Sequence, residues 1–175
     1  VLTRIKRDLS VDLDKMAAHC RWLLANGCDG LAMLGTTGEA NSFSVAERHL
    51  LLDALAEGGI PGHALLPGVG CCAIPDTVEL TKKALAVGSA GVVMLPPFYY
   101  KNVSDDGLFA AYSEVIESVG DSRLKVYFYH FPAMSNVPIS HDLIARLLKA
   151  YPATIAGIKD SSGDLANMLA MCERF

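Results

Sequence analysis

The stretch TIAGIKDSSGD, residues 154–164, carries a short apolar run, a polar turn and the start of a helix. The apolar run ends at Lys159, and helical periodicity follows from Gly163 to Phe175. Short apolar runs bounded by turn residues predict buried strands. The predicted strands are Gly30–Leu34, His63–Leu66, Gly91–Leu95, Lys125–Tyr129 and Thr154–Lys159.

Longer stretches with apolar residues at three- and four-residue steps separate these runs and predict helices. Ser10 is a candidate cap for the first helix and Gly27 its end. Ser44 and Glu47 have the spacing of a capping box at the second helix. The predicted helices are Asp12–Asn26, Ser44–Glu57, Ile74–Val87, Asp105–Val119, Ser140–Ala150 and Gly163–Phe175.

A strand and its helix recur about every thirty residues, the length of one βα unit. This alternation indicates a parallel α/β sheet covered by helices, either a (β/α)8 TIM barrel or a doubly wound open sheet. No G-x-G-x-x-G follows a strand, and polar residues follow several different strands, so the barrel is favoured. We expect one domain, residues 1–175, that covers about six of eight βα units and lacks the C-terminal units of a longer chain.

The composition argues against several classes of function. The 175 residues are 51% hydrophobic with a net charge of -4 and no lysine–arginine cluster, which disfavours nucleic-acid binding. No apolar run approaches the ~18 residues of a membrane span, and the first residues lack the apolar stretch of a signal peptide. The five cysteines without C-x-x-C spacing indicate free thiols of a cytoplasmic protein, with neither disulfides nor a metal site.

Lys159 is the last residue of a predicted buried strand, where loss of hydration destabilises a charged side chain. Burial disfavours the charged form of a lysine, and a neutral amine at a strand end is the nucleophile that a Schiff-base enzyme needs. The alternative is a lysine that extends its ammonium group into solvent and has no chemical role.

Other strand ends carry groups suited to binding and proton transfer. The turn GTTGE, residues 35–39, combines glycines that let the backbone approach a ligand with two hydroxyls, although an ordinary turn would look similar. In VYFYHFP, residues 126–132, alternation places Tyr129 on one face and His130 on the other, where a structural role is favoured for the histidine. The aromatic run at residues 96–100 suits rim packing, a pocket wall or a subunit contact.

Three of these segments together resemble one known family. GTTGE, the Y-x-x-P of Tyr129–Pro132 and the GIKDSSGD of residues 157–164 stand in the order of the dihydrodipicolinate synthase/N-acetylneuraminate lyase family of pyruvate-dependent class I aldolases. The resemblance covers the whole chain and implies a barrel enzyme without metal or dissociable cofactor, because pyruvate binds as a covalent imine. It also implies a homodimer or homotetramer that acts on pyruvate, or another 2-oxo acid, and an aldehyde.

The resemblance assigns roles to three side chains by matching position. Lys159 matches the lysine that forms the imine with the ketone of pyruvate. Tyr129 matches the tyrosine that shuttles protons during imine formation and carbon–carbon bond chemistry. Thr36 matches the hydroxyl that relays protons to that tyrosine.

The same matching assigns two binding functions. Thr37 matches the residue that helps to hold the carboxylate of pyruvate. Gly35 and Gly38 let the backbone of the same turn approach a ligand, so its N–H groups are candidates to bind that carboxylate. Tyr99 matches the tyrosine that reaches across a dimer interface into the neighbouring site, with a one-residue ambiguity within residues 98–100.

Met134 is a departure that bears on the substrate. In the synthases of lysine biosynthesis this place carries an arginine that clamps the carboxylate of the aldehyde, a bidentate contact that a thioether cannot make. The resemblance therefore favours a lyase or aldolase acting on a 2-oxo acid or sugar acid, with 4-hydroxy-tetrahydrodipicolinate synthase as the alternative. A non-catalytic member that binds a 2-oxo acid and an unrelated cofactor-binding open-sheet protein are further alternatives.

Overall fold

A computed structural model describes every residue from Val1 to Phe175. All six predicted helices form, and one further short helix, α5, follows the fourth predicted strand. The helices are α1 (Leu13–Ala25), α2 (Val45–Glu57), α3 (Ile74–Ala86), α4 (Asp105–Val119), α5 (Pro132–Ser135), α6 (His141–Ala150) and α7 (Leu165–Arg174). The strands are β1 (Val92–Met94), β2 (Val126–His130) and β3 (Ile155–Asp160), and 3-10 turns lie at Ala40–Ser42 and Gly62–Ala64.

The three strands form one parallel sheet in the order β1-β2-β3. Tyr129 pairs with Lys159 and His130 with Asp160, so the carboxyl ends of β2 and β3 lie side by side. The Ser161 N–H continues the ladder by donating to the His130 carbonyl at 2.8 Å. Helix-covered parallel strands in chain order are what the barrel prediction requires.

The predicted strands Gly30–Leu34 and His63–Leu66 are wrong as regular strands, although their backbones take the expected places. A single parallel bridge joins Leu31 to Leu65. The first segment ends its extended conformation at Leu34, whose φ is 55°, and the second begins inside a 3-10 turn. Three backbone hydrogen bonds nevertheless run between the first segment and residues 64–68.

Of the two predicted N-caps, one is confirmed and one is wrong. Asp12 caps α1 by accepting from the Lys15 N–H at 3.2 Å, so the prediction of Ser10 is wrong. The helix begins three residues after Ser10, beyond the reach of its hydroxyl, which donates to a neighbouring aspartate instead. The capping box of Ser44 and Glu47 at α2 is confirmed.

Two apolar cores hold the elements together. The larger lies between the sheet and α3, α4 and α6, where the Tyr112 ring packs edge-on to Phe128 with centroids 5.0 Å apart. The smaller joins α1 and α2 to the segment around Leu31. Each fully buried large side chain contributes roughly 1.5–3 kcal/mol relative to exposure. No helix combines the length and apolar character needed to cross a membrane.

Candidate active site

Lys159 and Tyr129 lie together at the carboxyl ends of β3 and β2. The Nζ atom of Lys159 lies 3.5 Å from the centroid of the Tyr129 ring. It also donates a hydrogen bond to the Ser161 Oγ at 3.3 Å. The phenol is buried, whereas the lysine is exposed. The ring face and the serine hydroxyl therefore hold the amine beside the phenol.

The prediction that Lys159 ends a buried strand is wrong for this chain. β3 pairs with β2 along one edge only, and Ile155 is its single buried residue. An edge strand without a second neighbour leaves its side chains open to solvent. In this chain the amine contacts the Tyr129 ring and the Ser161 hydroxyl.

Thr36 completes a short series of polar groups. Its hydroxyl lies 3.2 Å from the hydroxyl of Tyr129, within hydrogen-bonding distance. Burial alone raises the pKa of Tyr129, but the neighbouring Lys159 with its positive charge and the hydrogen bond with Thr36 outweigh it and leave the pKa below its ordinary value. The phenol hydroxyl thus lies within hydrogen-bonding distance of Thr36, and the amine of Lys159 lies beside its ring.

A cavity of about 130 Å³ opens beside these groups. Its lining contains every residue predicted to act on pyruvate except Tyr99. The lining residues are Val1, Ala32, Met33, Gly35, Thr36, Thr37, Gly38, Leu66, Gly68, Val93, Tyr129 and Lys159. A second cavity, of about 210 Å³, shares Thr36 and Tyr129 with the first and adds Met134 to its wall.

The two glycines of the turn differ in how much space a side chain would have at each position. A Cβ at Gly38 would lie 2.8 Å from the carbonyl oxygen of Val1, so a side chain there forces a shift. Nothing lies within 4 Å of a Cβ at Gly35, which gives no support to a steric need for glycine. Sequence reasoning missed Gly68, where a Cβ would collide with the carbonyl oxygen of Leu34. The Gly-Val-Gly run after the second apolar segment is the signal that marks it.

Tyr99 does not join the other predicted residues within one chain. It is 72% exposed and lines neither cavity. Its contact is an edge-on pairing with Tyr100, with centroids 5.2 Å apart. Both rings are exposed in the loop after β1, so the role of Tyr99 across a subunit interface stays a prediction.

Met134 stands at the outer wall of the site on α5. Its side chain is 61% exposed. The helix is fixed by other groups, because the Ser135 Oγ donates to the Phe131 carbonyl at 3.1 Å and the Lys101 Nζ donates to the Ser135 carbonyl at 2.8 Å. No group of three or more His, Cys, Asp or Glu side chains is placed to hold a metal ion, and all five cysteines are unpaired.

Comparison with known proteins matches residues 1–175 to the Dihydrodipicolinate synthetase family. The chain belongs to this family. It is 35% identical to an uncharacterized DapA-like lyase of Chloroflexus aurantiacus, over 94% of the chain and 54% of that relative. It is 33% identical to the 4-hydroxy-tetrahydrodipicolinate synthase of Rhizobium meliloti, over 88% of the chain and 51% of the relative. The chain thus spans about half the length of the curated relatives it matches.

Solved structures of dihydrodipicolinate synthase family members share the fold. The synthase of Agrobacterium tumefaciens superposes with a TM-score of 0.96 at 36% identity, over 99% of this chain and 61% of that chain. The prophage protein YagE of E. coli, solved in complex with pyruvate, gives 0.88 at 29% identity, over 99% and 56%. The predicted family is confirmed, and the parallel α/β sheet is consistent with part of the predicted barrel, while the count of six βα units stays a prediction.

Proposed function

We propose that this chain carries the imine-forming half of a pyruvate-dependent class I aldolase or lyase. The observation that supports the proposal is the placement of the Lys159 amine 3.5 Å from the Tyr129 ring, with the Thr36 hydroxyl 3.2 Å from that phenol, beside one cavity. An amine nucleophile, a proton-transfer group and a relay are the parts that Schiff-base chemistry needs.

The proposed reaction begins when the Lys159 amine adds to C2 of pyruvate and the ketone oxygen takes up a proton. Loss of that oxygen as water leaves a C=N imine, so no metal or dissociable cofactor is required. The protonated imine withdraws electrons from the adjacent methyl group, which loses a proton and becomes an enamine carbon. That carbon adds to the aldehyde carbon, whose oxygen takes a proton, and water then hydrolyses the imine and frees the lysine. The lyase direction runs through the same steps in reverse.

Tyr129 is the proposed proton carrier in these steps. Its pKa is lowered by contact with Lys159 and Thr36 in spite of burial, which brings the phenol closer to the pKa range useful for proton transfer. Thr36 is the proposed relay from the phenol. Thr37 and the backbone of the turn that holds Gly35 and Gly38 line the same cavity and are the proposed cradle for the pyruvate carboxylate.

Met134 supports a choice of second substrate. Its thioether cannot bind a carboxylate bidentately, so we favour a polyol or hydroxy-acid aldehyde, as in sugar-acid aldolases. The second candidate is the condensation of pyruvate with aspartate semialdehyde, which several relatives named 4-hydroxy-tetrahydrodipicolinate synthase support. Steady-state assays with both aldehydes separate them, and faster turnover of aspartate semialdehyde would reverse our preference.

The proposal includes an assembly. The exposed Tyr99 and Tyr100 suit a homodimer or homotetramer in which Tyr99 enters the site of a neighbouring subunit. Unpaired thiols support a cytoplasmic location. A non-catalytic member would bind a 2-oxo acid but turn over no aldehyde.

The experiment that tests the imine is borohydride reduction with pyruvate, followed by intact mass measurement. We would use the longest natural chain that contains residues 1–175. The wild type should gain one reduced pyruvyl group, Lys159→Ala none, and Lys149→Ala, which removes an exposed lysine of α6, the same as the wild type. A folded wild type that traps nothing would overturn the proposal.

A further inference from the structure

The face of β3 opposite Lys159 carries a second polar group, Asp160. Side chains alternate along a strand, so Lys159 lines the cavity while Asp160 points away from it toward the helices. The Asp160 carboxylate accepts from the Ser162 N–H at 2.6 Å and from the Asn167 Nδ2 at 3.0 Å. Because Asn167 belongs to α7, the carboxylate ties the end of β3 to that helix.

His141, the first residue of α6, extends this chain of hydrogen bonds. Its Nε2 lies 3.0 Å from the Oδ1 of Asn167. The amide nitrogen of Asn167 is already donating to Asp160, so its oxygen is the acceptor and the His141 Nε2 carries the proton. Hydrogen bonds thus connect three residues in series: His141 of α6 donates to Asn167 of α7, which donates to Asp160 of β3.

The neighbouring strand has a matching anchor on the same face. His130, which pairs with Asp160 in register, is 6% exposed, and its Nδ1 accepts from the Ile139 N–H at 3.1 Å. Tyr129 and Lys159 therefore each precede a residue that is fixed on the helix side of the sheet. None of these outer contacts touches the cavity where the chemistry is proposed.

We propose that the hydrogen-bond series His141–Asn167–Asp160 positions the Lys159 amine. The ladder to β2 and this hydrogen-bond series both hold the carboxyl end of β3. The same hydrogen-bond series also fixes the turn that contains Ser161, whose hydroxyl accepts the hydrogen bond from Lys159. The inference rests on the proposed imine function. Displacement of a reacting group by about 1 Å can slow a reaction by up to ~10²-fold.

The test is the rate of borohydride-trapped adduct formation at saturating pyruvate, measured in the same natural chain as above. Asn167→Ala should slow trapping by about 10- to 100-fold, with the far-UV circular dichroism unchanged. Asn26→Ala is the matched control, because Asn26 donates at 2.7 Å to the Trp22 carbonyl at the end of α1, far along the chain from the site. It should trap at the wild-type rate.

A pair of substitutions at His141 separates positioning from packing and covers the case in which Asn167→Ala does not fold. His141→Gln keeps an amide donor for Asn167 and should trap within about twofold of the wild type, whereas His141→Leu keeps the bulk, loses the donor and should match Asn167→Ala. Equal trapping by Gln and Leu would overturn the positioning role. If the wild type itself traps nothing, the imine proposal fails first, so the two failures are distinguishable.

Discussion

Tyr129 is the residue on which the proposed chemistry depends most. Its ring packs in a buried position, so removal of the hydroxyl alone leaves the packing in place. Its hydroxyl is the only group within hydrogen-bonding distance of the Thr36 hydroxyl. Loss of that hydroxyl should therefore affect catalysis far more than folding.

We expect Tyr129→Phe to lower kcat by about 10²–10⁴-fold, the usual contribution of a positioned acid–base group, with a small change in KM for pyruvate. Steady-state kinetics and trapping rates measure this. Tyr151→Phe is the control, because Tyr151 donates its hydroxyl to Glu117 on the surface. Wild-type kcat in Tyr129→Phe would remove the phenol from the mechanism.

His130 makes stability depend on pH. Burial lowers its pKa, aided by the nearby His141 and opposed by the charge of Asp160. Below pH ~6.5, the ordinary pKa of histidine, the unfolded chain binds a proton at His130 more readily than the folded chain does. The contribution of neutral His130 to the free energy of unfolding is therefore complete above pH ~6.5 and falls as the pH drops toward the folded pKa.

Thermal unfolding at pH ~7.5 and ~5 should show a smaller acid-induced drop in Tm for His130→Asn than for the wild type. The amide oxygen can still accept from the Ile139 N–H, and asparagine does not titrate in this range. His63→Asn changes an exposed histidine and should keep the wild-type drop. An undiminished drop in His130→Asn would show that another group controls the acid response.

Much of the candidate site was predictable residue by residue, because parallel strands bring their carboxyl ends to one place. Thr36, Tyr129 and Lys159 lie far apart in the chain, but each stands at or just after the carboxyl end of a predicted strand, and the structure brings them together. The Gly-Val-Gly run marks Gly68 as unusual, but the collision that requires glycine there depends on the separation of two backbones, which the sequence does not show.

At the level of elements, helices were predicted better than strands. Helical periodicity extends over ten residues or more, whereas a strand of three to six residues depends on its neighbours. Gly30–Leu34 is apolar enough for a strand, but it pairs through a single bridge from Leu31 to Leu65 rather than through a regular ladder. The helix α5 has four residues and was missed because one turn is too short for a periodic pattern.

The capping box of α2 offers a test at this level. Ser44 accepts from the Glu47 N–H, and the Glu47 carboxylate accepts from the Ser44 N–H at 2.8 Å. Ser44→Ala should lower the free energy of unfolding by about 0.5–2 kcal/mol in urea titrations, with kcat unchanged. Ser122→Ala, at an exposed turn, should stay within about 0.5 kcal/mol of the wild type. Equal stability of the two variants would contradict a role for the box.

For the whole molecule, stability depends on the larger core, which joins the sheet to α3, α4 and α6. Leu80 of α3 is 1% exposed within it, whereas Leu50 of α2 is 58% exposed on the outer surface. Leu80→Ala should cost about 2–5 kcal/mol of unfolding free energy, because it removes apolar contacts and leaves a cavity. Leu50→Ala should change it by about 0.5 kcal/mol or less. Comparable losses in urea titrations would mean that the outer surface is covered in solution.

The short helix that carries Met134 also has a consequence for how an enzyme of the proposed kind diversifies. Ser135 and Lys101 hold the helix by backbone carbonyls, and the side chain of Met134 is mostly in solvent. Almost any side chain can therefore stand there without disturbing the core, so natural or laboratory selection can sample new aldehydes at this one codon while stability stays constant. A library randomised at Met134 should keep most of its members folded and differ mainly in which aldehydes they accept.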